Sequence, residues 1–191
     1  MKKLILTVLL LFPFIVFSQI TWGAKGGANI ASLGDFNSGN TPILRVHGGF
    51  YYEQRLEQQY AITAELLYSM QGARAANISR RYLAYQYLNL PILIKFYNIN
   101  NAYFEIGPQL GYLLIAKLHE DGVTTNITDT VKSFDFTGLI GGGKQTDFGN
   151  YGARAGFGFS NTSGGSAGNS IVFRNLTLQI YVAFTLGQLN E

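Results

Sequence analysis

The sequence of 191 residues contains no cysteine, only two histidines and little charge, with 13% of its residues being Asp, Glu, Lys or Arg. Without cysteine, no disulfide stabilises the chain. No apolar run after Gln19 reaches the ~20 residues that a membrane-spanning helix needs. No segment after Gln19 repeats apolar residues at the i, i+3, i+4 spacing of an amphipathic helix. These absences point away from helices and toward a fold made of strands.

The first 18 residues have the pattern of a secretory signal peptide. Lys2 and Lys3 precede an apolar stretch that ends at a small-residue cleavage site, and Pro13 argues against a membrane-spanning anchor. We therefore predict that residues 1–18 are a cleaved signal peptide and that residues 19–191 form one exported domain. Cleavage removes two of the 14 Lys and Arg residues and leaves 12 against 11 Asp and Glu. This near balance predicts no nucleic-acid partner.

Residues 103–117, YFEIGPQLGYLLIAK, show the pattern that recurs along the rest of the chain. The even positions carry no charge or amide, whereas the odd positions include Glu105 and Lys117. A strand separates the two sets because successive side chains point to opposite faces, and Pro108 would break a helix here. In a closed sheet Pro108 predicts a bulge or local kink. The same alternation predicts further strands at 20–30, 44–53, 60–71, 82–96, 132–143, 151–160 and 174–186.

The connections between the predicted strands alternate in length. The long, polar connections are 31–43, 72–81, 118–131 and 161–172, and the short ones are 54–59, 97–101 and 144–150. Long outer loops and short periplasmic turns are typical of an outer-membrane barrel, and closure leaves no open edge in lipid. We predict an all-β, eight-stranded, antiparallel up-and-down transmembrane β-barrel with its apolar faces toward lipid. A soluble lipocalin-like barrel that binds a small ligand, with its apolar faces inside, is the alternative.

The inner and outer faces of this predicted barrel carry different residues. The inner faces hold charges of both signs, which predict a paired network in a filled interior without a wide channel. Besides Glu53, the network residues are Lys25, Arg45, His47, Glu65, Lys95, Glu105, Asp135 and Arg154. Aromatic residues near strand ends suit the two interfacial girdles. They are Tyr60, Tyr82, Phe96, Tyr97, Phe104, Tyr151, Phe159 and Phe184.

His47 is the only credible general base for an alternative in which the barrel is an enzyme acting on outer-membrane lipid. Glu65 and Ser69 on the adjacent predicted strand are its nearest partners, but strand counting places them at other heights. We therefore predict a structural His47, no catalytic residues, no cofactor and no metal site. His119 opens a long loop beside two acidic residues, which we interpret as solvated loop charges. Residues 138–144 lack the Ser or Thr and the helix of a phosphate-binding loop.

Arg74, Arg80 and Arg81 lie in or beside a predicted outer loop. Arginine forks match phosphates, so these residues predict a contact with lipopolysaccharide, with ordinary surface solubility as the alternative. The sequence also predicts a protein partner at the long outer loops. The end of the last strand, 181–184, is similar to the signal that the barrel-assembly machinery reads during insertion.

Several segments together resemble the PorT-type outer-membrane β-barrel family: GAKGGANIASL, AELLYSMQGA, YLNLPILIKFY, YFEIGPQLGYLLIAK and KSFDFTGLIGGG. The resemblance implies an eight-stranded barrel in the outer membrane of a Gram-negative bacterium, and it carries over no catalytic residues. PorT itself is linked to a protein secretion system, but the family is wide and mostly without assigned activity. We predict a structural or interaction role as an anchor, a surface-binding protein or a secretion-system component. A small-solute pore is a further hypothesis.

Overall fold

The computed structural model describes residues 19–33, 40–75, 81–160 and 175–189. Nearly all of them are in strands, together with a short 3₁₀ helix at Thr128–Thr130. The strands are β1 (Ile20–Leu33), β2 (Asn40–Arg55), β3 (Tyr60–Ala75), β4 (Arg81–Tyr97), β5 (Ala102–Glu120), β6 (Val123–Asn126), β7 (Phe134–Thr146), β8 (Gly149–Gly158) and β9 (Asn175–Leu189). Among the described residues, no helix has the length and apolar character to span a membrane.

Eight of the nine strands form a closed antiparallel barrel. Neighbours along the chain pair with one another, β1 pairs with β9, and β4 pairs with β5, so the ring has no open edge. The remaining strand, β6, pairs only with the last residues of β5. The predicted eight-stranded up-and-down topology is confirmed. The short hairpin of β5 and β6 lies within the segment 118–131 that the sequence predicts as a loop.

The two ends of the barrel differ in their connections. Tight turns at 56–59, 98–101 and 147–148 join strands at one end, which also holds the start of β1 and the end of β9. We call this the turn end and the opposite one the loop end. The predicted loops at 31–43, 72–81 and 161–172 include residues outside the described ranges. In outer-membrane barrels the short turns face the periplasm and the longer loops face outward.

Most of the large apolar side chains of the barrel point outward, and the buried interior is mainly polar. Leu44 and Phe50 are 72% and 64% exposed, whereas Lys95 and Arg154 are each 1% exposed. Burial and exposure alternate strictly from Tyr87 to Tyr97 along β4. This arrangement is opposite to that of the soluble alternative, in which the apolar faces would be inside. It is the arrangement that a hydrocarbon environment requires.

Pro108 does not produce the predicted bulge. On either side of it the register between β4 and β5 is the same, since Pro91 pairs with Gln109 and Ile94 pairs with Ile106. The two residue pairs between these positions, all in a described stretch, are absent from the ladder. The missing N–H of proline is therefore accommodated by a gap in the hydrogen-bond ladder, without a register shift.

Gly26 and Gly27 of β1 provide a matched test of the outer and inner faces. A Cβ at Gly27 would overlap the Ile180 carbonyl oxygen and come within 2.8 Å of His47 Cε1, whereas one at Gly26 would lie 3.7 Å from its nearest neighbour, the His47 carbonyl oxygen. We expect Gly27→Ala to lower the free energy of unfolding by about 1–3 kcal/mol through overpacking. Gly26→Ala should be neutral or slightly stabilising, since glycine weakens a strand interior.

Urea unfolding of both variants in lipid vesicles measures this difference between adjacent residues. Equal losses of stability in the two variants would contradict the inward orientation of Gly27.

Candidate functional site

The centre of the barrel interior holds an ion network built around Glu65 of β3. One carboxylate oxygen of Glu65 lies 2.7 Å from Lys25 Nζ, and the other lies 2.9 Å from Arg154 Nη2. Arg154 Nη1 also lies 4.0 Å from Glu105 Oε1. These four side chains are at most 1% exposed. Since they project from β1, β3, β5 and β8, the network crosses the whole lumen.

A second cluster lies next to the first, toward the turn end. Lys95 Nζ contacts Glu53 Oε2 at 2.7 Å, and the Tyr97 hydroxyl donates a hydrogen bond to Glu53 Oε1 at 2.7 Å. Lys95 lies directly opposite Glu105 in the β4–β5 ladder, which places the two clusters side by side. Tyr97 was predicted to belong to an interfacial girdle; this prediction is wrong, because the ring faces the interior and is 6% exposed.

Tyrosine and glutamine side chains complete the network. The Tyr181 hydroxyl donates to Glu105 Oε1 at 2.8 Å and lies 2.8 Å from the Tyr103 hydroxyl. Lys25 Nζ lies 3.4 Å from the centroid of the Tyr181 ring, and Arg154 Nε donates to Gln179 Oε1 at 2.6 Å. Sequence analysis placed neither Tyr181 nor Gln179 in the interior network. The only signal for them was their position on the polar face of the last strand.

The ion pairs described above do not include the other three predicted network residues. Arg45 lies toward the loop end, with its guanidinium carbon 5.6 Å from the centroid of the Tyr82 ring. Asp135 is buried and accepts a hydrogen bond from Thr137 Oγ1 at 3.2 Å. His47 is 5% exposed, and neither ring nitrogen has a hydrogen-bond partner among the described residues. The ion network therefore brings together Lys25, Glu65, Lys95, Glu105 and Arg154, with Glu53 added.

The height predicted for Ser69 relative to His47 is wrong, because the two residues are direct partners in the β2–β3 ladder. Strand counting could not detect this, since it does not fix the register between strands. Ser69 is fully buried, and its hydroxyl oxygen accepts a hydrogen bond from Asn29 Nδ2 at 2.9 Å. In the described part of the chain, no hydrogen bond joins Ser69 to His47. Ser69 and His47 therefore do not form the hydrogen-bonded nucleophile and base that a hydrolase needs.

The three arginines predicted to contact lipopolysaccharide differ in their surroundings. Arg74 is exposed at the loop end of β3. Arg81 Nε lies 3.7 Å from Glu120 Oε1, with side chains 43% and 46% exposed. Arg80 lies outside the described residues. Arg74 and Arg45 together line a cleft of about 440 Å³ at this end of the barrel.

His119 belongs to the same end of the barrel. Its ring stacks on Tyr82 with centroids 4.3 Å apart, and its Nδ1 lies 2.9 Å from Thr124 Oγ1. The neighbouring Glu120 is the partner of Arg81. Within the described residues, no group of three or more His, Cys, Asp and Glu side chains is placed to hold a metal ion.

A closed barrel with an apolar exterior and a charged interior is the architecture of bacterial outer-membrane barrels. The sequence matches the family described as "Outer membrane protein beta-barrel domain" over residues 17–189. The chain belongs to this family. The match covers all the strands described above. Membership of the family places this protein in the outer membrane.

Solved structures show the same barrel at low sequence identity. Neisserial surface protein A matches with a TM-score of 0.56 and 11% identity, over 86% of this chain and 97% of that one. Ail, the attachment invasion locus protein of Yersinia pestis, matches with a TM-score of 0.50 and 10% identity, over 91% and 100% of the two chains. At this identity the likeness concerns the fold alone. A search of curated proteins found no match.

Proposed function

We propose that this outer-membrane barrel is plugged and non-conducting, and that it works as an anchor or surface-interaction protein. The observation that carries the proposal is the neutral ion network across the lumen. Its three cations and three carboxylates, Lys25, Lys95, Arg154, Glu53, Glu65 and Glu105, are each at most 6% exposed. An eight-stranded barrel is just wide enough for its side chains to fill it. A barrel with a filled interior interacts with its surroundings through its ends and its outer face.

The partners we propose follow from those surfaces. The loop end is the outward end in barrels of this type, so a protein partner would bind there. A component of a secretion system is one partner within this proposal, beside any other surface protein. The exposed arginines at the same end favour contact with lipopolysaccharide phosphates in the outer leaflet. During insertion, the barrel-assembly machinery would engage β9.

Planar-bilayer recordings test the absence of a channel. We expect the purified, folded protein to produce no discrete conductance steps, because the buried ion pairs leave no continuous water path through the lumen. A porin recorded in the same bilayers serves as the positive control. The sample is checked on a gel, where a folded barrel shifts its band only after boiling. Regular conductance steps from the shifting species would show that the protein is a pore.

A further inference from the structure

The pairing of β2 with β3 is interrupted near the loop end of the barrel. The two strands pair from His47 to Arg55 and again from Asn40 to Pro42, with a register shift between these blocks. The intervening residues 43–46, all of them described, have no partner in β3. On its other edge, β2 stays paired with β1 throughout this stretch. The strand is therefore held in the sheet by β1 where its ladder with β3 is interrupted. We call this interruption the β2–β3 seam.

Two features of the β3 backbone accompany the β2–β3 seam: a hydrogen bond to the Met70 carbonyl oxygen and the conformation of Gly72. Asn29, which is fully buried, reaches across from β1 and donates a hydrogen bond to the Met70 carbonyl oxygen at 3.0 Å. Gly72 has a φ of +148°, a backbone conformation that residues other than glycine rarely adopt. Met70 and Gly72 both lie in β3 between its two blocks of pairing with β2. The interruption is therefore a defined part of the barrel structure.

The cleft of about 440 Å³ lies at the β2–β3 seam and is lined by Pro42, Ile43, Leu44, Arg45, Arg74 and Tyr82. Both charged residues of this lining are arginines. Neither forms an ion pair with any described residue. By contrast, Arg81 on the same rim is paired with Glu120. Within the described ranges, the cleft therefore carries two positive charges without an ion-pair partner.

Arg45 is positioned at the cleft by an aromatic contact. Its guanidinium carbon lies 5.6 Å from the Tyr82 ring centroid, and Tyr82 is stacked on His119. Arg45 Nε is buried and has no hydrogen-bond partner among the described residues. The planar fork of a guanidinium held beside a ring matches two oxygens of a phosphate. Next to it Leu44 is 72% exposed, which supplies an apolar surface beside the charge.

We propose that the cleft at the β2–β3 seam binds the phosphorylated headgroup of an outer-leaflet lipid, with Arg45 and Arg74 as phosphate ligands. The proposal rests on the outward orientation of the loop end in the proposed function. Lipid A fits this chemistry, because it places a sugar phosphate at the headgroup level and an acyl chain alongside Leu44. The inference differs from the sequence-based one, which placed Arg45 in the interior network and gave Arg81 a lipid contact.

Titration of the folded full-length barrel in phosphatidylcholine nanodiscs with monophosphorylated lipid A tests the site, with bound lipid measured by native mass spectrometry. We expect Arg45→Gln and Arg74→Gln each to weaken binding about tenfold, the typical effect of losing one hydrogen-bonded charge. Arg55→Gln, which removes an arginine at the opposite, turn end of the barrel, is the control and should leave the affinity unchanged. Lipid A without phosphate should bind about tenfold more weakly than the phosphorylated form.

Equal affinities of the wild type, Arg45→Gln and Arg74→Gln would overturn the proposal, as would equal binding of dephosphorylated lipid A. If inorganic phosphate displaces the phosphorylated lipid with an affinity equal to that of the lipid itself, the cleft binds a free anion and the lipid assignment is wrong. Each variant is first checked for the boiling-dependent gel shift; if Arg45→Gln does not fold, Arg74→Gln, whose side chain is exposed, decides the test. The conductance recordings are independent of lipid binding, so the two proposals can fail separately.

Discussion

Glu65→Gln is expected to lower the free energy of unfolding of the barrel by about 3–5 kcal/mol, the cost of leaving a buried charge without its partner. The substitution preserves the size of the side chain but removes the negative charge that Lys25 and Arg154 share at 2.7 and 2.9 Å. The six-residue network then holds three cations and two carboxylates. Because these groups are buried, water cannot replace the lost carboxylate without opening the barrel.

The effect of Glu65→Gln can be separated from a general loss of charge with two further variants. Lys25→Met combined with Glu65→Gln should cost less than Glu65→Gln alone, because Arg154 keeps Glu105 and Gln179 as partners. Glu120→Gln breaks the exposed pair with Arg81 and should cost less than ~1 kcal/mol.

Urea titrations in lipid vesicles, followed by the fluorescence of Trp22, the single tryptophan, measure all three variants. If Glu65→Gln and Glu120→Gln were equally stable, the ion network would not hold the interior together.

Leu90→Lys is expected to destabilise the inserted barrel by about 2–4 kcal/mol, the cost of a lysine facing lipid near the bilayer midplane. Leu90 lies in the middle of β4, points outward with 43% of its surface exposed, and pairs with the outward-facing Leu110. The cost arises because an ammonium at this height must leave water or distort the bilayer.

Ile99→Lys is the matched control for Leu90→Lys. Ile99 lies in a turn at the end of the barrel, is 96% exposed, and should accept a lysine without loss of stability. The yield of the folded, unboiled band and the urea midpoint in phosphatidylcholine vesicles report the difference. If both variants insert with the same yield and midpoint, the outward face of β4 is not in contact with lipid.

The sequence predicted the strands and their faces because a period of two assigns each side chain to one side of a sheet. This reasoning placed Glu65 and Arg154 inside and Leu90 outside without knowledge of any strand pairing. Alternation does not determine the register between strands. A shift of two residues keeps each side chain on the same face but changes its partner on the neighbouring strand. The height of Ser69 relative to His47 was therefore wrong.

Contacts that depend on irregular backbone were also beyond sequence reasoning. Arg45 was predicted to join the interior network because it alternates with His47 along β2. Arg45 keeps the alternation of β2, between the exposed Leu44 and Val46, but it lies toward the loop end, level with the interruption in β2–β3 pairing. Alternation alone does not determine this position along the barrel. Tyr97 and Tyr181 illustrate a different limit. Tyrosine suits both an interfacial girdle and a buried hydrogen bond, so only the residues opposite it decide between the two roles.

The pairing of β1 with β9 restricts the order of events in the assembly of the barrel. Ala24 pairs with Phe184, so the contact that closes the ring joins the two extremes of the domain. Such a high-contact-order closure must wait until the last strand has left the ribosome and crossed the inner membrane. A chain that stops after β8 would present two unpaired strand edges to hydrocarbon. Assembly is therefore expected to be all-or-none, and truncation at the C-terminus should leave an unfolded periplasmic chain with no half-inserted intermediate.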